Sequence, residues 1–235
     1  MQKKFVSKAL VSAVFAACAA MSSAQAAVID FNSPDLTGWI FAGDDSFSDS
    51  GFSLTVQGPA SAGYLGAIHD GGSCEIMDCP VGNSSQYYAG LNDGSLSVAH
   101  NGGQAFTLGS FDASFIAPFP LATPGQEFAR LVFSGVAGGQ SYTASVLLPG
   151  QGNDNAYRFT SFASLGAFNS LHFSSLTISA CLIDLGGDCV ASGSNQAQFA
   201  LDNLNVTAVP EPATWGLMAL GLVGIGAIRR RQAAR

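Results

Sequence analysis

The sequence is poor in positive charge. Residues 27–209 contain no lysine and two arginines, Arg130 and Arg158, against fifteen Asp and Glu residues, so this segment has a net charge of −13. Proteins that bind nucleic acids neutralise phosphates with Lys and Arg side chains. A surface this anionic repels polyphosphates and anionic lipid headgroups, and the composition therefore excludes nucleic-acid binding.

Charge of either sign is scarce. Charged residues make up 11% of the 235 residues and hydrophobic residues 48%. Disordered chains combine low hydrophobicity with high charge, and coiled coils are rich in Glu, Lys, Arg and Leu, so both classes are excluded. The length allows one β domain with short extensions, because all-β domains often exceed 200 residues.

The sequence also lacks catalytic motifs. His69, His100 and His172 are isolated, and none belongs to a metal-ligand spacing such as His-Glu-x-x-His. No Gly-x-Ser-x-Gly nucleophile elbow is present. A glycosidase needs two facing carboxylates, and the sequence does not pair Glu75, Glu127 or the aspartates. We therefore expect a protein that is not an enzyme, with a polysaccharide-acting enzyme as an alternative.

The N-terminal residues 1–26 have the order of a secretory signal peptide. A lysine-containing start precedes an apolar stretch, and small residues follow in Ala24-Gln25-Ala26. This order predicts a signal helix that is removed by cleavage after Ala26. The competing interpretation is a lipoprotein box at Phe15-Ala16-Ala17-Cys18, in which Cys18 would be acylated.

A second apolar segment lies near the C-terminus. Pro210-Glu211-Pro212 precedes Trp215 and an uncharged run to residue 228, and Arg229-Arg230-Arg231 follows. Residues 213–228 would form a helix of about 24 Å, which is short for a hydrocarbon core of about 30 Å. Trp215 suits the membrane interface, and the arginines can extend to the cytoplasmic side. The pattern predicts a transmembrane helix.

Together these features resemble the PEP-CTERM sorting signal, which consists of a Pro-Glu-Pro motif, a transmembrane helix and an arginine cluster. The resemblance covers about a tenth of the chain. It implies export through the Sec translocon, an inner-membrane intermediate and processing by exosortase. The destination would be the cell surface or extracellular matrix of a Gram-negative bacterium, with exopolysaccharide and biofilm as the setting. The implied organisation is a signal peptide (1–26), a body (27–208) and a sorting signal (209–235).

The body has the alternation of β-strands. Apolar residues recur at every second position, and glycine-rich turn signals separate the runs. The pattern predicts an all-β, jelly-roll-like β-sandwich. The predicted strands contain Phe52-x-Leu54-x-Val56, Tyr142-x-Ala144-x-Val146, Tyr157-x-Phe159 and Phe199-x-Leu201-x-x-Leu204-x-Val206.

One region allows a finer prediction. Apolar residues flank Asn101-Gly102-Gly103, which predicts a hairpin there. The alternation then changes phase between residues 108 and 111, which requires a bulge or bend near Gly109-Ser110. We expect the strand to turn a corner of the sandwich at this point.

The segment from Gln198 to Val206 is similar to the final strand of many secreted jelly-roll modules, in which Phe-x-x-Asp-Asn recurs. A subset of PEP-CTERM proteins has Gln-Phe-x-x-Asp just before the sorting signal. The resemblance brings in carbohydrate-binding modules as relatives. The leading hypothesis is an exported surface or matrix protein without enzymatic activity, and a carbohydrate-binding module is the other alternative.

The body has four cysteines, Cys74, Cys79, Cys181 and Cys189. An even number in an exported chain indicates disulfides, and three connectivities are possible. The local pairs Cys74–Cys79 and Cys181–Cys189 are the simplest. A four-thiolate metal site is the alternative, although these spacings are not typical of zinc sites.

Calcium is a further expectation, because it binds oxygen ligands and the body is rich in Asp and Asn. If the fold resembles calcium-bearing jelly rolls, Asp30 near the first strand and Asp202 on the last would hold the ion. The alternative is that Asp202 accepts backbone hydrogen bonds at a strand edge.

Overall fold

The computed structural model describes residues 25–32, 38–41, 46–70, 79–118, 123–190 and 197–209, together with Gly221. Ala26–Ala208 forms one compact unit. Most of the predicted signal peptide, including Ala24, and the sorting residues Pro210, Glu211, Pro212, Trp215, Arg229, Arg230 and Arg231 lie outside the described residues. Among the residues described, no helix is long and apolar enough to span a membrane.

The described residues form sixteen strands and two short 3₁₀ helices, Ala60–Ala62 and Gly166–Ser170. The strands are β1 (Gln25–Ile29), β2 (Gly38–Phe41), β3 (Ser46–Asp49), β4 (Phe52–Gln57), β5 (Tyr64–Asp70), β6 (Gln86–Gly90), β7 (Ser95–His100), β8 (Phe106–Leu108), β9 (Phe111–Phe115), β10 (Ala129–Ala137), β11 (Gln140–Leu147), β12 (Thr160–Phe162), β13 (Phe173–Ile183), β14 (Cys189–Val190), β15 (Phe199–Asp202) and β16 (Leu204–Ala208).

The strands build two sheets. The ten-stranded sheet has the order β1-β16-β8-β13-β7-β4-β3. Two further strands, β10 and β14, pair with β13, and β11 pairs with β10. The six-stranded sheet has the order β12-β9-β15-β6-β5-β2. The predicted jelly-roll-like β-sandwich is confirmed.

The core lies between the two sheets and follows the alternation in the sequence. Phe52, Leu54 and Val56 of β4 are buried, and the residues between them are half-buried. Tyr88 and Phe199 enter the same core from the six-stranded sheet. Each fully buried side chain of this size contributes about 1.5–3 kcal/mol.

The chain passes from one sheet to the other at two neighbouring corners. β8 belongs to the ten-stranded sheet and β9 to the six-stranded sheet, so the predicted corner at Gly109-Ser110 is confirmed. The backbone N–H of Gly109 donates to the carbonyl oxygen of Asn205 (2.7 Å), and the N–H of Asn205 donates to that of Ser110 (2.8 Å). We call the antiparallel pair formed by β8–β9 and β15–β16 the corner ribbon.

The final segment departs from its prediction as one strand. It breaks at Asn203, which has a left-handed backbone (φ 50°), and β15 and β16 lie in different sheets. The spacing Phe199, Leu201, Leu204, Val206 already carries this break, because the alternation slips by one residue between Leu201 and Leu204.

The hairpin predicted at Asn101-Gly102-Gly103 is wrong. β7 and β8 both pair antiparallel with β13, so they run in the same direction and the turn between them does not reverse the chain. The predicted strand at Tyr157-x-Phe159 is also wrong. Arg158 makes an isolated bridge with Val81 instead.

A two-residue hairpin joins β10 to β11. Gly138 and Gly139 have φ values of 57° and 78°, and Ala137 pairs with Gln140 across the turn. Positive φ at both central residues is the conformation of a type I′ turn, which glycine adopts without strain.

Candidate functional site

Two aspartates face each other on the corner ribbon. Asp202 at the end of β15 pairs in register with Asp112 of β9. The side-chain amide of Asn203 donates to Oδ2 of Asp112 (2.8 Å), and the Asn203 backbone N–H donates to Oδ1 of Asp202 (2.7 Å). Ser161 also donates a hydrogen bond to Asp112.

Asp202 also holds the segment that precedes β6. Its Oδ2 accepts hydrogen bonds from the amide of Asn83 (2.7 Å) and the hydroxyl of Ser85 (2.9 Å). Asn83 Oδ1 in turn accepts from the Ser85 backbone N–H (2.9 Å). We call Asp202, Asp112, Asn203, Asn83 and Ser85 the corner cluster.

Burial and a neighbouring charge raise the pKa of Asp202 in the corner cluster. Asp202 is fully buried, and this desolvation raises the pKa of its carboxyl above the ordinary value. Hydrogen bonds from Ser85, Asn83 and the Asn203 N–H oppose the rise, and the charge of Asp112 adds to it.

The geometry decides what Asp202 can do. A glycosidase carboxylate must reach its substrate, but Asp202 has no exposed surface, and both of its oxygens already accept hydrogen bonds. Asp202 therefore acts as an internal hydrogen-bond acceptor that holds the segment with Asn83 and Ser85 against the corner ribbon.

The calcium prediction finds no matching geometry at this place. β1 neighbours β16 rather than β15, and Oδ1 of Asp30 accepts from the Asn32 backbone N–H (3.1 Å) in its own turn. Asp202 is surrounded by hydrogen-bond donors, which a cation would have to displace. Among the described residues, no group of three or more His, Cys, Asp or Glu side chains could hold a metal ion. Calcium binding stays a prediction.

A second apolar cluster lies on the outer face of the six-stranded sheet, away from the sandwich core. Ala67, Tyr87 and Ala89 are buried in it, and Tyr64 and Phe159 pack against it. Burial raises the pKa of Tyr87 to about 12, so its hydroxyl stays protonated at neutral pH. Sequence reasoning missed this cluster. The uninterrupted apolar run from Tyr87 to Leu91 was the available signal, because such a run indicates a strand buried on both faces.

Aromatic side chains reach solvent where this cluster meets the sheet edge. Trp39 and Phe41 of β2 are 39% and 59% exposed, and Tyr64 is half-buried. The Trp39 ring lies 4.7 Å from that of Tyr64 and 5.9 Å from that of His69. We call Trp39, Phe41 and Tyr64 the aromatic edge.

The remaining predicted residues fall elsewhere. His69 is buried beside Trp39 and Tyr87, and His100 packs edge-on against Phe52 at 5.1 Å. The Cys181–Cys189 disulfide is confirmed, with 5.5 Å between the Cα atoms. Cys79 is also disulfide-bonded, but its predicted partner Cys74 lies outside the described residues, so that pair stays a prediction.

Several solved structures are similar in fold at low identity. TmCBM61, solved in complex with β-1,4-galactotriose, is 9% identical with a TM-score of 0.33, over 66% of this chain and 88% of that one. An apo cyclase from Fischerella sp. is 13% identical with a TM-score of 0.36, over 80% of this chain and 98% of that one. The enzymatically active domain of tailspike protein 4 from bacteriophage CBA120 is 10% identical with a TM-score of 0.30, over 68% of this chain and 20% of that one.

A search of curated proteins found no match. A family model for the PEP-CTERM protein-sorting motif matches residues 208–231. The match begins at the last residue of β16. This match leaves the sandwich itself unassigned. The chain therefore carries a PEP-CTERM protein-sorting motif, and it is an exported protein that exosortase sorts and that is processed at the membrane.

Proposed function

We propose that this protein is a non-enzymatic component of the cell surface or extracellular matrix that associates with exopolysaccharide. The observation that carries the proposal is the sorting motif attached to a compact β-sandwich. The sandwich carries a strong negative charge, which keeps an exported protein soluble and away from nucleic acids.

The corner cluster supports the absence of enzymatic activity. Asp202 and Asp112 are the described carboxylates that face each other in register, and Asp202 is inaccessible to a substrate. Its hydrogen bonds account for its position without any catalytic role.

Carbohydrate binding is a second candidate, and the aromatic edge favours it. Sugars present apolar C–H faces that stack on aromatic rings, and ligand sites combine such rings with a few polar groups. Trp39 and Phe41 expose apolar area that the fold does not need for its core.

The sorting part of the proposal is tested by mass spectrometry and fractionation of the producing bacterium. The protein recovered from the cell surface or matrix should lack residues 1–26 and the terminal Arg235. A strain without exosortase should keep the unprocessed chain in the membrane fraction. Full-length chain on the surface of the exosortase-containing strain would contradict the proposal.

The binding part is tested by titrating the purified protein with the exopolysaccharide of the same bacterium. Trp39→Ala should weaken binding about tenfold or more, as the loss of an exposed aromatic anchor does. Leu185→Ala is the control, because Leu185 is fully exposed in a loop of the other sheet. Equal binding by both variants would remove the aromatic edge from the proposal, and release of reducing ends would contradict the non-enzymatic function.

A further inference from the structure

The ten-stranded sheet has a long unpaired edge. β11 spans eight residues and pairs with β10 alone among the described residues. The strands that end the two main strand orders, β1, β2, β3 and β12, have three to five residues. An unpaired strand offers a row of N–H and C=O groups to another chain.

The β10–β11 hairpin fixes which groups of β11 face outward. In a two-residue hairpin the pair that closes the turn, Ala137 and Gln140, exchanges both backbone hydrogen bonds, and bonded and non-bonded pairs then alternate. Ser141, Thr143, Ser145 and Leu147 therefore direct their N–H and C=O groups away from β10. These residues also lie on the outer face of the sheet.

Several features that protect natural edge strands are missing from β11. Such strands are short or bulged, or they carry Lys or Pro. β11 contains no proline and no charged residue, and its eight pairs with β10 run without a register shift. Its side chains are exposed or half-buried, and Tyr142 is 40% exposed.

The distribution of charge around β11 favours a second copy of this chain as the partner. The body has a net charge of −13, which opposes contact between copies wherever carboxylates meet. β11 is neutral, and its outer-face neighbours at the middle of the strand are hydroxyl residues. Thr143 pairs with Ser134, Ser134 with Thr177, and Thr177 with Ser97. A second copy can approach this edge without bringing carboxylates together.

We propose that a second copy of this chain binds here by antiparallel pairing of β11 with β11. A two-fold axis at Thr143 places it opposite its own counterpart, with Ser141 opposite Ser145. This register brings outward-facing N–H and C=O groups together and keeps the hydroxyls on one face, because opposed residues in a sheet point the same way. Tyr142 then lies beside Ala144 of the second copy, which covers its exposed ring. The interface is isologous and closes as a dimer.

The test is the association state of the full-length chain in mild detergent, measured by analytical ultracentrifugation over a range of concentrations. Thr143→Lys places two ammonium groups opposite each other and should weaken dimerisation roughly tenfold or more. Ser134→Lys is the matched control. It adds the same charge to an exposed position on the same face, one strand inward, and should leave dimerisation unchanged.

Disulfide crosslinking supplies a second readout. Hydrogen-bonded antiparallel partners have Cα atoms about 5.5 Å apart, which suits a disulfide. Thr143→Cys should therefore form a covalent dimer on a non-reducing gel, and Ser134→Cys should not. A monomeric wild-type chain, equal effects of the two lysine variants, or crosslinking at both positions would overturn the proposal. The result does not depend on whether the protein binds polysaccharide.

Discussion

Gly90 lies where β6 passes under the ring of Phe199. A Cβ at this position would come within 2.3 Å of the ring, and Phe199 is fully buried with Tyr88 beside it. The backbones of β6 and β15 are therefore close because residue 90 has no side chain.

We predict that Gly90→Ala lowers the free energy of unfolding by about 1–3 kcal/mol, since the overpacked ring has no room to move. Gly102→Ala should cost much less. Gly102 is exposed, and its nearest atoms belong to the His100 ring at 3.2 and 3.3 Å. Denaturant unfolding measures both, and equal losses would show that the Phe199 ring can shift.

Asp202 makes the stability depend on pH. Its pKa is raised in the folded protein, so the folded state retains the proton at pH values where the unfolded state has lost it. The stability of the wild type relative to Asp202→Asn should therefore be greatest below the unfolded pKa of about 3.9 and should fall as the pH rises through the folded pKa.

Asp154 provides a control of opposite sign. A backbone hydrogen bond from Ala156 and the nearby Arg158 hold the pKa of this exposed carboxyl below its ordinary value. Its contribution is present above the unfolded pKa and is lost as the pH falls. Melting curves of Asp202→Asn and Asp154→Asn between pH 3 and pH 7 should diverge from wild type in opposite directions. If the two variants depart from wild type in the same direction, the opposite pKa shifts of Asp202 and Asp154 are contradicted.

The corner ribbon shows how far an element can be predicted from sequence. The phase slip near Gly109-Ser110 predicted the corner between β8 and β9, and the same kind of slip between Leu201 and Leu204 marks the corner between β15 and β16. The hairpin at Asn101-Gly102-Gly103 was wrong because turn residues indicate a turn without fixing which strands pair. Partners such as β13 are distant in sequence, and local patterns do not encode them.

The site was less predictable than the fold. Asp202 was identified from the final strand, but its partners Asn83, Ser85 and Asp112 come from segments about 90 to 119 residues away. The aromatic edge depends on the pairing of β2 with β5, which places Trp39 opposite Ala67. Neither arrangement has a signal in the spacing of the residues.

We predict that Asn203 is required at the second corner for its backbone and its amide. Asn203→Gly keeps the left-handed conformation and loses the hydrogen bond to Asp112, at a cost of about 1 kcal/mol. Asn203→Val also strains the backbone and should cost about 3 kcal/mol. Chemical denaturation of both variants measures the difference. Equal losses would show that the amide alone fixes the corner.

The disulfide between β13 and β14 closes a short loop in which Asp184 accepts hydrogen bonds from the N–H groups of Gly186 and Asp188. We predict that replacing Cys181 and Cys189 together by Ser lowers the free energy of unfolding by about 2 kcal/mol, less than the loss of a long-loop bridge would. Denaturant unfolding measures the loss.

The second predicted disulfide is tested separately. Non-reducing peptide mapping should give the Cys74–Cys79 pair. A link from Cys79 to any other cysteine would contradict the local pairing.

Charge acts on the molecule as a whole. Fifteen carboxylates against two arginines repel one another in the folded body, and salt screens this repulsion. We predict that sodium chloride raises the melting temperature by a few degrees through screening alone. If calcium binds as the sequence analysis expects, calcium at equal ionic strength should add a further rise that chelator reverses and Asp202→Asn loses. A melting temperature that depends on ionic strength alone would contradict the calcium prediction.

The position of β16 has a mechanical consequence. This strand lies inside its sheet, between β1 and β8, and the sorting motif begins at its last residue, Ala208. A pull on the residues that follow, when it is directed along the strand, is perpendicular to the hydrogen bonds of the strand. The bonds on both sides then share the load and must break together, instead of opening one after another like a zipper. Under such a pull, β16 therefore resists shear more strongly than a strand at the edge of the sheet would.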